Sequence, residues 1–166
     1  RRQRQMCIRD RCLAVPLYEQ LELLKKNKVA VVCGILSGTL ASLTGIFVLC
    51  MLFGFNHKQY VTMLPKSITT AIGIGISEEL GGIVTITVAV IIITGILGNV
   101  IADTVFHIFK IKNPLAKGLA LGTASHAIGT ARAIEMGPVE GAMSSLAVAV
   151  AGLLTVVFVS GFAQLI

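Results

Sequence analysis

The stretch Leu121–Gly137, LGTASHAIGTARAIEMG, decides the fold. It lies between apolar runs long enough to cross a bilayer. Yet it places Thr123, Ser125, His126, Thr130, Arg132 and Glu135 in a window otherwise made of small residues. Ionisable side chains in lipid-type sequence are costly, so they face a cavity, a substrate path or one another. The surrounding glycines and alanines permit irregular backbone and close helix approach. A plain surface loop is the competing reading.

A second stretch argues against the surface loop. Thr70–Gly81, TAIGIGISEELG, aligns without a gap on His126–Gly137, HAIGTARAIEMG, at an offset of 56 residues. Ala71, Ile72, Gly73, Glu79 and Gly81 meet Ala127, Ile128, Gly129, Glu135 and Gly137. Acidic residues are scarce here, so the Glu match carries most weight. Gly-interrupted segments in corresponding positions of two halves point to a transporter binding site.

Working outward, the 166 residues are 55% hydrophobic and only 13% charged, with a mean hydropathy of +0.87. Soluble domains carry about 25% charged residues. The chain therefore reads as an all-α polytopic membrane protein. Val29–Phe55, Ile83–Phe109 and Ser144–Ile166 are the spans; about 20 residues suffice for one. Gly34, Gly38, Ser42 and Gly45 in the first span read as a helix-packing stripe. Asn99, Asp103 and His107 share one face of the second, as a proton path or as interface residues. Asn113-Pro114 is a helix start and Gly137-Pro138 a stop.

The net charge of +6 is concentrated at the N-terminus. Without residues 1–12, nine basic residues face seven acidic ones, which leaves no case for nucleic-acid binding. RRQRQMCIRDR is unlike the rest, and QMCIRDR is similar to translated adapter sequence. Residues 1–12 are read as a non-native run. Residues 13–166 are read as one membrane domain, truncated at its N-terminus.

Two topologies are open. If each motif enters and leaves on one face, Lys25, Lys26, Lys28, Lys110, Lys112 and Lys117 all fall on one side, as the positive-inside rule prefers. The two units are then inverted relative to each other. If each motif instead crosses as a helix broken at mid-depth, the lysine clusters fall on opposite sides. In the first case irregular backbone from Ser125 to Gly129 lies near mid-depth, tolerated only where it is buried or lines a cavity.

No metal spacing, phosphate loop or dinucleotide fingerprint is present, and Ser125 and His126 are adjacent, a spacing that does not let them face each other on a helix. The reading is thus non-enzymatic, with no catalytic residue, metal or cofactor. Arg132 either clamps a substrate carboxylate or forms an i, i+3 pair with Glu135. His126, Glu135 and Glu79 are candidates for a coupling ion. Lys66 either attracts anions or snorkels. Ser67, Thr69, Thr70, Thr123, Ser125 and Thr130 either bind substrate oxygens or bond their own helix.

Together AVPLYEQ (Ala14–Gln20), LPKSITT (Leu64–Thr70), ISEELGGI (Ile76–Ile83) and GLALGTASHAIGTARAIEMGPVEGAMS (Gly118–Ser144) resemble the LrgB/CidB family. The family's Pro in its TTPI element is Ala71 here, and a Pro that often follows GGI is Val84. The resemblance implies a multi-pass protein of the bacterial plasma membrane. It also implies a small LrgA/CidA-type membrane partner, with a homo-oligomer possible. It carries two functions: antiholin-like modulation of murein hydrolases and autolysis, and transport of small carboxylates such as glycolate, glycerate, lactate or pyruvate. A pore needs no intramembrane Arg, His and Glu on irregular backbone. A carrier of small anions does, so the residues favour transport.

Overall fold

The computed structural model describes residues 25–165, and all regular structure among them is helical. The basic run 1–12 and the segment 13–24 lie outside the described residues. The helices are α1 (Lys28–Leu52), α2 (His57–Met63), α3 (Thr70–Glu79), α4 (Val84–Ile108), α5 (Pro114–Met136) and α6 (Pro138–Phe162), with 3-10 turns at Leu64–Ser67 and Ala163–Leu165.

Among the described residues, three helices are long and apolar enough to cross a membrane: Lys28–Leu52, Val84–Ile108 and Pro138–Leu165. Only 17% of the apolar window of α4 is buried within the chain. Ile92, Ile93, Ile96, Leu97 and Val100 stand exposed along it. Apolar surface of that extent calls for lipid or another protein, not water. The last span starts earlier than the charge-free run suggests. Pro138 opens α6, and Glu140 sits in its first turn, near the end of the helix rather than deep in the apolar layer.

Between the long helices the chain twice folds back on itself. In α5 the reversal rests on one residue: His126 has φ 42°, ψ −140°, while its neighbours stay helical. The break is therefore narrower than the Ser125–Gly129 stretch expected from the glycines. A Cβ on Gly129 would lie 2.6 Å from Ser125 Cβ and 2.9 Å from the Leu121 carbonyl oxygen. In a straight helix Leu121 and Gly129 would be about 12 Å apart. Glycine lets the arm 127–136 return against the arm 114–125. Asn113 caps the first arm by accepting from Leu115 N–H at 2.9 Å, with Pro114 at the first helical position.

The first reversal lies in the other motif. Pro65 has no N–H for a helical bond, and α2 tightens into the 3-10 turn there. Ile68 and Thr69 are extended, and α3 then runs back. A buried hydroxyl cluster ties the arms together. Thr87 Oγ1 lies 2.8 Å from Ser77 Oγ and 2.9 Å from the Thr62 carbonyl oxygen, and Thr62 Oγ1 accepts from Ile83 N–H. The descending arm begins at His57, seven residues before the LPKS motif marks it.

The two hairpins enter from opposite ends of the long helices. Gly34 and Gly38 of α1 face Leu119 and Thr123 of the first arm of α5, so these run parallel. Lys117 stacks over Phe106 near the end of α4. At the far end Phe47 packs edge-on against Tyr60, whose hydroxyl donates to the Phe162 carbonyl at 2.8 Å. The N-terminal lysines and the Lys110–Lys117 cluster thus share one end, and His57 and Lys58 lie at the other.

Candidate functional site

The second hairpin buries its tip against α4. Cβ atoms at Gly95 or Gly98 would collide with His126 and Ser125 respectively. His126 Nε2 is 2.9 Å from the Ile91 carbonyl oxygen, and Asn99 Nδ2 donates to the Ile128 carbonyl at 3.2 Å. Ser125, His126 and Thr130 are buried. Thr130 donates to the His126 carbonyl and lies 2.8 Å from Ser144 Oγ. This polar tip is locked by its own contacts.

Arg132 lies elsewhere. It sits on the returning arm, near the lysine-bearing end, with its side chain 34% exposed. It pairs with Glu135 at 2.7 Å and also with Asp103 of α4, a partner 29 residues away that local spacing cannot reveal. Two carboxylates occupy its guanidinium fork. Glu79 is exposed at the end of α3, and Thr69 and Thr70 are half-buried at the first break.

The remaining candidates, Lys66, Ser67 and Thr123, come together in a cavity of about 660 Å³ between α1, the first arm of α5 and the 3-10 turn. It runs from Asn27 and Asn113, at the lysine-bearing end, to Ser42 in the middle of α1. Its walls are small: Ala30, Gly34, Ser37 and Gly38 on one side, Ala116, Ala120, Thr123 and Ala124 on the other. Among the described residues that line it, Lys66 is the only charged one. Lys66 Nζ donates to Ser67 Oγ at 3.1 Å, and Ser67 Oγ lies 2.8 Å from Ser42 Oγ. Both ion pairs found among the described residues belong to Arg132, so the Lys66 ammonium faces no carboxylate there. Below the serines a void of about 10 Å³ is lined by Thr39, Ser42, Ser67, Thr123 and Thr155.

The stripe Gly34–Gly38–Ser42 thus does two things. Gly34 and Gly38 meet the α5 arm as packing residues, and the same face, with Ser42, walls the cavity. Sequence reasoning places Ser42 in the packing stripe and not among the site candidates. Its one signal is that it continues a four-residue spacing from small residues to a hydroxyl. Chemically, one ammonium beside two hydroxyls can hold a small monoanion with further oxygen atoms.

Comparison with known proteins bears on the same chain. A model of the LrgB-like family matches residues 12–165. The chain is 40% identical over 153 residues to the antiholin-like protein LrgB of Bacillus subtilis (strain 168), covering 92% of this chain and 66% of that protein. It is 42% identical over 149 residues to the antiholin-like protein LrgB of Bacillus cereus (strain B4264), covering 90% and 65%. The chain spans just under two thirds of the length of these relatives. No solved structure matches.

Proposed function

As this chain belongs to the LrgB-like family, we propose that it is the core of a bacterial plasma-membrane carrier for small monocarboxylates of the glycolate, glycerate, lactate or pyruvate type. The observation that carries this reading is Lys66: one ammonium, unopposed by a carboxylate among the described residues, beside Ser67 and Ser42 in a cavity at the middle of α1. Its single positive charge matches a monoanion, and the serine hydroxyls supply further partners. The protein performs no chemistry on its cargo. The two hairpins act as inverted repeats, and their irregular backbone is tolerated because it is buried in protein. A small LrgA/CidA-type membrane protein is its partner.

The test is uptake of labelled glycolate, glycerate, lactate and pyruvate into vesicles holding the full-length protein, with and without the small partner. Saturable uptake whose half-saturation Lys66→Gln raises supports the proposal. Absence of uptake of all four acids in both preparations overturns it.

A second reading draws on the printed names of the relatives, which are antiholin-like. On this reading the protein regulates murein hydrolase activity and autolysis by binding a membrane partner, without transport. An autolysis phenotype that Lys66→Gln leaves unchanged, together with absent uptake, favours it.

A further inference from the structure

A second concave site lies at the lysine-bearing end, apart from the Lys66 cavity. Asp103, Phe106, His107, Lys110, Lys112 and Lys117, with Ile111, enclose about 560 Å³ where α4 gives way to α5. The backbone builds it. Lys110 takes φ 53°, and Ile111 N–H donates to the Phe106 carbonyl at 2.9 Å, which closes the helix with a left-handed turn. Lys110 and Lys112 emerge from that turn, and Lys117 reaches in from α5, its ammonium 5.9 Å from the Phe106 ring centroid. Among the described residues, the pocket's one carboxylate, on Asp103, is held by Arg132. The three lysines form no ion pair among the described residues. On the same last turns of α4, Val100, Ile101, Ile108 and Phe109 are exposed.

We propose that this basic pocket binds the phosphate of an anionic phospholipid headgroup, whose acyl chains run down the exposed apolar strip of α4. Basic pockets at the membrane-facing ends of helices bind such headgroups, because each ammonium near the surface adds to the attraction. The pocket alone suits any phosphate. The contiguous apolar residues on the helix that carries it select the lipid. The inference rests on α4 lying in the bilayer and not on the carrier reading.

Native mass spectrometry of the full-length protein in detergent tests it, with phosphatidylglycerol and phosphatidylcholine offered separately. The wild type retains phosphatidylglycerol in preference. The triple variant K110Q/K112Q/K117Q binds it roughly 10- to 100-fold more weakly. K110R/K112R/K117R retains it, and K25Q/K26Q/K28Q, which removes equal charge from the same end, loses far less. Equal loss in the two glutamine triples reduces the effect to general surface charge and overturns the site. So does a wild type without preference for phosphatidylglycerol. Complete displacement by millimolar inorganic phosphate assigns the pocket to a soluble anion and overturns the lipid. If the glutamine triple fails to fold, the lipid preference of the wild type and the arginine triple still decide.

Discussion

The imidazole Nε2 of His126 meets the main-chain oxygen of Ile91 at 2.9 Å, and so the tip of the second hairpin is pinned to the middle of α4. The histidine makes this contact from a backbone conformation, φ 42° and ψ −140°, that side chains resist. Two opposed contributions therefore meet at one residue. His126→Ala keeps the strain and loses the bond; His126→Gly loses the bond and relieves the strain. Thermal melts in detergent should rank glycine above alanine by about 1–2 kcal/mol, the reverse of ordinary helix propensity. A straightened helix at this position would give alanine the advantage instead.

Lys66 governs anion binding on the proposed reading. Lys66→Gln should lower the affinity for carboxylates by about 10- to 100-fold, the weight of a charge-assisted hydrogen bond. Ser42→Ala and Ser67→Ala should each cost roughly 3- to 10-fold. The measurement is concentration dependence of vesicle uptake. An unchanged half-saturation in Lys66→Gln contradicts the assignment.

Arg132 is the residue the local sequence recommends for the carboxylate; in the structure it pairs with both Asp103 and Glu135 and so joins α5 to α4. Asp103→Asn and Arg132→Ala should each lower the melting temperature. The double variant should lie close to the worse single, since both remove one interaction. Uptake per folded molecule should remain. A specific loss of uptake in Arg132→Ala, with the melting temperature unmoved, would return the substrate to this guanidinium.

Two glycines give a paired test of the packing. A Cβ at Gly98 would overlap Ser125, whereas at Gly45 it would meet nothing within 4 Å. Gly98→Ala should destabilise by about 1–3 kcal/mol, as overpacking does. Gly45→Ala should be neutral or stabilising by up to about 1 kcal/mol through helix propensity. Equal melts for the two variants would show that the hairpin does not seat against α4.

Topology is open to single-cysteine labelling in a background stripped of native cysteines. Cysteines replacing Lys26 and Lys112 should react from the same side of the membrane, and one replacing Lys58 from the other. Reaction at positions 26 and 112 from opposite sides would mean that the second motif crosses.

Much of this architecture is legible in the chain, for reasons that differ by element. α1 and α4 announce themselves because uncharged runs longer than 20 residues have few other uses. The reversal in α5 is legible as a place, from small residues around His126. Its sharpness is not, since a single positive φ is fixed by what the arms pack against. Sequence spacing reveals the Arg132–Glu135 pair, three residues apart, and hides Asp103, which reaches Arg132 only through the hairpin. Ser42 is hidden for another reason. Its four-residue spacing from Gly34 and Gly38 reads equally as packing and as a cavity wall, and the structure uses the face for both.

Ile91 serves both hairpins with different parts of itself. Its carbonyl oxygen receives His126, and a Cβ on Gly73 would lie 2.5 Å from its Cδ1. A bond made by the main chain survives replacement of the side chain above it. Exchanging Ile91 for another aliphatic residue therefore edits the fit of the first hairpin and leaves the anchorage of the second chemically intact. The two seats can be tuned one at a time, although they share a single position in the chain.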